Sequence, residues 1–127
     1  MDVEDFRRWV DAYQRAWRTP GTALLGELFA PDAVYRHSPY AEPIAGLAAI
    51  ERDWEAERDG PDEVFTVSAE VLGFDPAGRL GVARLEVRYG DPVSQEYRDL
   101  WVVRFDGAGR AVDFEEWPFW PGQGWKP

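Results

Sequence analysis

Cysteine is absent from the chain, which excludes disulfides, thiol nucleophiles and Cys-based zinc sites. Histidine occurs once, at His37, so a single chain cannot build a multi-histidine metal centre. No EF-hand-type loop is present, and neither a metal nor a cofactor is expected. Lysine also occurs once, at Lys126, leaving arginine to carry nearly all of the positive charge. Lysine and arginine together number 14 against 24 acidic residues, for a formal net charge of −10. A nucleic-acid partner is therefore not expected, because phosphate binding needs a basic face. The same charge argues against an anionic membrane surface. No apolar run approaches the roughly 20 residues that span a bilayer. The opening "MDVEDFRRWV" is acidic and amphipathic, unlike a secretory signal. The cytoplasm is the expected location.

Aromatic residues, by contrast, are plentiful. They make up 15% of the 127 residues, seven of them Trp, within a hydrophobic share of 45%. Such a chain folds, and its length suits one domain spanning residues 1–127. The aromatic surplus suits a lined cavity or an oligomer interface.

Periodicity divides the chain into helices first and strands later. Residues 3–18 put Phe6, Trp9, Val10, Tyr13 and Trp17 on one helical stripe, with Asp2 as its cap. Thr19-Pro20 reads as the start of a second helix over roughly 20–29, burying Leu24, Leu25, Leu28 and Phe29. Pro31-Asp32 reads as a turn. "AVYRHS" follows as a short strand with Tyr35 and His37 on one face. "PYAEPIAG" reads as a loop. A third helix over 47–58 has Leu47, Ile50 and Trp54 inward, ended by Asp59-Gly60-Pro61.

The second half alternates with the period of strands. Phe65, Val67, Ala69 and Val71 share a side, as do Ala83, Leu85, Val87 and Tyr89. Tyr97, Asp99, Trp101, Val103 and Phe105 form the next apolar face, opposite Arg98 and Arg104. "DGAG" is a hairpin turn signal. The last strand, about 110–117, groups Val112, Phe114 and Glu116, and the prolines after it are expected to stop it. Segregated helices and strands indicate an α+β fold, with helices packed on one face of a curved sheet.

Four residues break the apolar pattern in a way that suits acid–base chemistry: His37, Asp99, Glu116 and Tyr13. Each falls on a face expected to be buried. Histidine titrates near ~6.5 and can exchange protons at neutral pH. Asp99 or Glu116 can fix its tautomer. Tyr13 O–H and Trp101 N–H can donate to a developing enolate oxygen. A structural reading stands beside this one. A buried histidine can simply satisfy a carboxylate. If the facing is off by one residue, Asp99 and Glu116 pair with Arg36 or another arginine. The face carrying Arg84, Glu86, Arg88, Arg98 and Arg104 is a solvated surface or a polar dimer contact. The tail "EEWPFWPGQGW" caps a pocket mouth or joins a dimer interface rather than binding substrate.

The stretch "LFAPDAVYRHSPYAEPIAGLAAI", residues 28–50, and the hairpin "RFDGAGR", residues 104–110, resemble the NTF2-like superfamily. That group includes ketosteroid isomerases and SnoaL-like cyclases. The resemblance implies a cone of three N-terminal helices on a mostly antiparallel sheet, enclosing an apolar pocket, in a homodimer. It places His37 where the isomerase keeps its base and Tyr13 where it keeps a hydroxyl donor. Trp101 falls where that enzyme has a second acid, so steroid isomerisation itself is not implied. Glu116 matches an acid of the SnoaL-like cyclases. The expected pocket lining is Trp17, Tyr35, Trp54, Leu85, Trp101 and Phe114. The expected activity is cofactor-free isomerase, dehydratase or cyclase chemistry on a small hydrophobic carbonyl or hydroxyl compound. The alternatives are a non-catalytic ligand-binding or dimerising module and, third, a protein-transport adaptor.

Overall fold

A computed structural model describes residues 1–58 and 63–127. The Asp59-Gly60-Pro61 turn expected after the third helix lies outside the described residues.

Helix α1 spans Val3–Arg18 and buries Phe6, Trp9, Val10 and Tyr13. Its start is fixed by a reciprocal cap: Asp5 N–H donates to Asp2 Oδ1 and Asp2 N–H donates to Asp5 Oδ2, each at 2.9 Å. The second helix is shorter than its sequence suggests. Thr19 closes α1 instead of opening a new helix: its N–H reaches Ala16 O at 3.2 Å and its hydroxyl donates to Arg15 O at 2.6 Å. Gly21 then sits at φ +81°, outside the helical region. What remains is one turn, α2, Leu25–Leu28.

Strand β1 runs Phe29–Arg36 and absorbs Pro31-Asp32, which were expected to form a turn. Its register against β6 (Ala111–Phe119) jumps between Phe29 and Val34. That irregularity accommodates a proline, which cannot donate to a ladder. The loop expected over 38–46 contains a two-residue strand, β2, Ile44–Ala45, paired antiparallel to β1. Helix α3 spans Leu47–Glu57 and buries Ile50 and Trp54, with Leu47 only partly covered.

Strands β3 (Phe65–Asp75), β4 (Leu80–Tyr89), β5 (Gln95–Phe105) and β6 complete one six-stranded sheet, in the order β2-β1-β6-β5-β4-β3. All pairs are antiparallel except β1 with β6. Alternation holds cleanly in β4 and β5, where Ala83, Leu85, Val87, Asp99, Trp101, Val103 and Phe105 are buried. It fails at two places. Ala69 is exposed on the edge strand β3, and a register shift follows at Val71–Gly73. In β6 an extra residue between Ala111 and Asp113 leaves Val112 half-buried while Phe114 is fully covered. β6 also runs through Pro118 to Phe119, beyond the stop expected of its prolines. Pro118 pairs with Asp99 on β5, and β1 no longer lies alongside there.

The core is largely aromatic. Trp9 meets Phe105 at 5.2 Å and Phe29 at 5.9 Å in edge-to-face geometry. Its indole N–H donates to Leu28 O at 3.0 Å. Phe6 lies so close to β4 that a Cβ on Gly81 would stand 2.5 Å from its Cζ. The opposite face of β3 and β4 carries ion pairs, Arg84–Glu70 at 2.7 Å and Arg88–Glu86 at 3.4 Å, both exposed. Such pairs contribute little to stability.

Candidate functional site

Between α3, the end of β1 and the inner face of β4–β6 lies an open cavity of about 740 Å³. Three local features converge there. Parallel pairing of β1 with β6 sets Arg36 opposite Glu115, so His37, just past the end of β1, meets Glu116. Antiparallel pairing sets Glu116 opposite Trp101, which makes Asp99 its diagonal neighbour on the same face. Helix α3 is tied to β1 by Gly46 N–H donating to Ala33 O at 2.8 Å, and this brings Asp53 over His37.

His37 Nε2 lies 2.7 Å from Asp53 Oδ2, and Nδ1 lies 3.7 Å from Glu116 Oε2. The first is a hydrogen bond and the second an ion-pair contact. Ionised carboxylates only accept, so two carboxylates on opposite nitrogens match the doubly protonated ring. The Glu116 carboxylate, opposed by burial and helped by Asp53, raises the His37 pKa to about 9. The ring is therefore a cation at neutral pH. The base role expected of His37 does not fit that state.

Asp99 is 6% exposed, and its Oδ1 has no hydrogen-bond partner among the described residues. Burial first, then the adjacent Glu116 carboxyl, pushes its pKa up to about 8. Asp99 and Glu116 thus form a carboxyl pair that holds a proton at neutral pH, with the His37 cation on the far side of Glu116. The arginine alternative is not what is found: Arg36 pairs with Asp113 at 3.0 Å.

Tyr13 and Tyr35 bridge their hydroxyls at 3.0 Å. The pair has two protons and uses one between them, leaving the other to donate elsewhere. Burial, then the Glu116 charge, raises Tyr13 well above its ordinary value. Burial also dominates the rise at Tyr35.

His37, Asp99, Glu116, Tyr13, Trp17, Tyr35 and Trp54 all line the cavity. Three expected lining residues do not. Leu85 and Phe114 are 0% exposed and Trp101 is 1% exposed, packed in the core cluster. Trp101 Nε1 is buried with no partner among the described residues, and the ring is absent from the cavity wall, so it cannot serve as the donor expected there. The tail contributes more than a cap: Trp120 lines the cavity and meets Tyr97 edge-to-face at 6.4 Å.

Asp53 is the residue that sequence reasoning missed. Its signal was available, since Ile50, Asp53, Trp54 and Glu57 follow helical i, i+3, i+4, i+7 spacing. His37, Asp53 and Glu57 bring one potential ligand atom each within 4.8 Å of one another, a spacing that can hold a divalent cation. The protonated His37 ring disfavours that use, because a histidine ligand must be neutral.

Residues 6–114 match the SnoaL-like domain family. The chain belongs to that family, within the NTF2-like superfamily that its sequence resembles. No curated protein sequence matches it. Among solved structures, it is similar to an NTF-2 like protein of unknown function from Burkholderia xenovorans LB400, with TM-score 0.73 and 17% identity over 98% of this chain and 90% of that one. It is also similar to SalBIII, an epoxide hydrolase/cyclase-like enzyme of pyran ring formation in the polyether salinomycin, with TM-score 0.74 and 15% identity over 96% and 95% of the two chains. A third is a steroid delta-isomerase from Pseudomonas aeruginosa, with TM-score 0.65 and 23% identity over 93% and 82%. At these identities the likeness concerns the fold. No helix among the described residues is long and apolar enough to cross a membrane.

Proposed function

We propose that this protein catalyses cofactor-free proton transfer on a small, largely hydrophobic compound bearing a carbonyl or hydroxyl group. The observation that carries this reading is the row Asp99, Glu116, His37 along one cavity wall. Asp99, neutral below about 8, is a proton donor at physiological pH. Glu116 is the acceptor beside it. Donor and acceptor side by side suit enolisation next to a carbonyl, or loss of water from a hydroxyl compound. His37 is a positioning residue: its positive charge, anchored by Asp53, holds the Glu116 carboxylate in place. The Tyr13–Tyr35 pair supplies a further O–H for a developing negative oxygen. The exposed Phe119 and Trp125 support association with a second copy through the tail.

The test starts from ligands found by thermal shift among small ketones and alcohols, each then incubated with protein in D₂O and followed by NMR. Bound ketones are expected to exchange a carbon-bound hydrogen next to the carbonyl, and bound alcohols to turn over. Hits that bind, with neither exchange nor turnover across the set, identify a non-catalytic binding module instead.

A further inference from the structure

The cavity wall is strongly one-sided in charge. Asp53, Glu57, Glu63, Asp99 and Glu116 all line it, against Arg58 and His37 as the basic residues of the wall. Both basic groups are committed. Arg58 donates to Gly21 O at 2.8 Å, Ala16 O at 3.0 Å and Glu55 at 3.1 Å. His37 lies between Asp53 and Glu116. Asp99 is different: more than nine-tenths buried and part of the wall, it has an Oδ1 with no partner among the described residues. A buried polar oxygen without a partner costs stability unless something else supplies a donor.

The titratable groups of the wall register this field. His37, Asp99, Tyr13, Tyr35 and Tyr89 are all shifted upward. Burial is the first cause at the tyrosines, but Glu116 adds to the rise in each of them and Glu63 adds to it at Tyr89. The rest of the wall is aromatic. Tyr97 alternates with Asp99 on the same face of β5 and lies 6.1 Å from Tyr89 and 6.4 Å from Trp120, ring centre to ring centre. Electron-rich ring faces beside a carboxyl pair with one unpartnered oxygen are the two features that recognise an organic cation.

We infer that the ligand of this cavity carries a protonated amine on an aromatic or apolar body, with the amine seated at the Asp99–Glu116 pair, whose shared proton it displaces to solvent, and the body against Tyr89, Tyr97 and Trp120. The inference rests on reading the cavity as a small-molecule site and adds the ligand's charge to it. A carboxylate ligand of the same shape is rejected by the same groups, because like charges brought together in a partly dry cavity repel.

Three probes that share an indole-ethyl or indole-methyl body and differ in charge test this: tryptamine, tryptophol and indoleacetate. Calorimetry on the full chain at pH 7 is expected to give tryptamine an affinity at least about tenfold above tryptophol, with indoleacetate weakest. In the double variant D99N/E116Q, that preference is expected to shrink to about threefold or less. Circular dichroism checks that the variant is folded. In Y97A, with both carboxyls present, tryptamine binding is expected to weaken several-fold. Equal affinities for tryptamine and tryptophol overturn the inference, as does binding of none of the three or a preference that survives D99N/E116Q. Failure of proton-transfer chemistry has a separate sign: amine selectivity is retained while no carbon-bound hydrogen exchanges.

Discussion

Replacing Glu116 with glutamine is expected to lower turnover on an identified substrate by roughly 10²–10⁴-fold, the usual contribution of one general acid–base group. The substitution keeps the shape of the side chain and removes its charge, so packing is spared. It should leave a second trace. In the parent protein the alkaline limb of the pH–rate profile is expected to fall near pH 8, where Asp99 loses its proton. On the proposed mechanism activity is expected below that pH and is expected to be lost above it, because the neutral carboxyl is the proposed donor. Burial and the Glu116 charge both hold this value up. Without the charge only burial remains, and the alkaline limb of any residual activity moves to lower pH. A variant that keeps more than about a tenth of the parent rate, with the limb unmoved, removes Glu116 from the chemistry.

Trp9→Ala is expected to be the most damaging single change to the fold, costing about 3–5 kcal/mol. Trp9 is 5% exposed and touches Phe6, Tyr13, Phe29, Trp101, Phe105 and Phe114. Truncation leaves a ring-sized void at the centre of that cluster. It also strips Leu28 O of its donor at the end of α2. Total stability of such a domain is about 5–15 kcal/mol, so the loss is a large fraction of the whole. Trp9→Phe keeps a ring and loses the hydrogen bond, and should cost much less. Urea denaturation followed by circular dichroism measures both. A loss below about 1 kcal/mol for the alanine variant would show that the cluster collapses around the gap.

The cavity is affected too, since Trp9 supports Tyr13 from below at 5.7 Å. Fold and site are therefore linked through the aromatic core. The same rings that close the hydrophobic centre hold the Tyr13–Tyr35 hydroxyl pair at the cavity wall.

Much of this was legible in the residues themselves. The α1 stripe and its Asp2 cap, the β4 and β5 alternation, and the placing of Asp99 on an apolar face all follow from simple periods. Those elements have one face against the core and one toward solvent, which is the condition under which periodicity is informative. The readings that failed lie where another constraint wins. Thr19-Pro20 looks like the start of a helix, but the Thr19 hydroxyl is used to close α1 and Gly21 follows at positive φ. Pro31 looks like a turn, yet a register irregularity carries it within β1. Val112 and Ala69 depart from alternation at an extra residue and at a sheet edge. Leu85, Trp101 and Phe114 share faces with true wall residues. A face does not say how far along a strand the core ends and the cavity begins.

The site was half legible for a related reason. His37, Asp99 and Glu116 could be set on inward faces one strand at a time. Which acid meets the ring depends on register between strands and on where α3 crosses β1, and neither is written in a single element. Asp53 was the cost of that gap. It sits on the inward stripe of its helix, but only tertiary packing brings it to His37.

With one histidine in the chain, its imidazole resonances need no assignment, and the central claim comes down to how that ring titrates. Two carboxylates around one ring should hold it protonated well past neutrality. NMR titration of the parent protein is expected to give a midpoint near 9, falling toward the ordinary value of about 6.5 in the D53N/E116Q variant. A parent midpoint near 6.5 that E116Q leaves unchanged would contradict the account, because His37 and Glu116 would then not form one charged unit at the cavity wall.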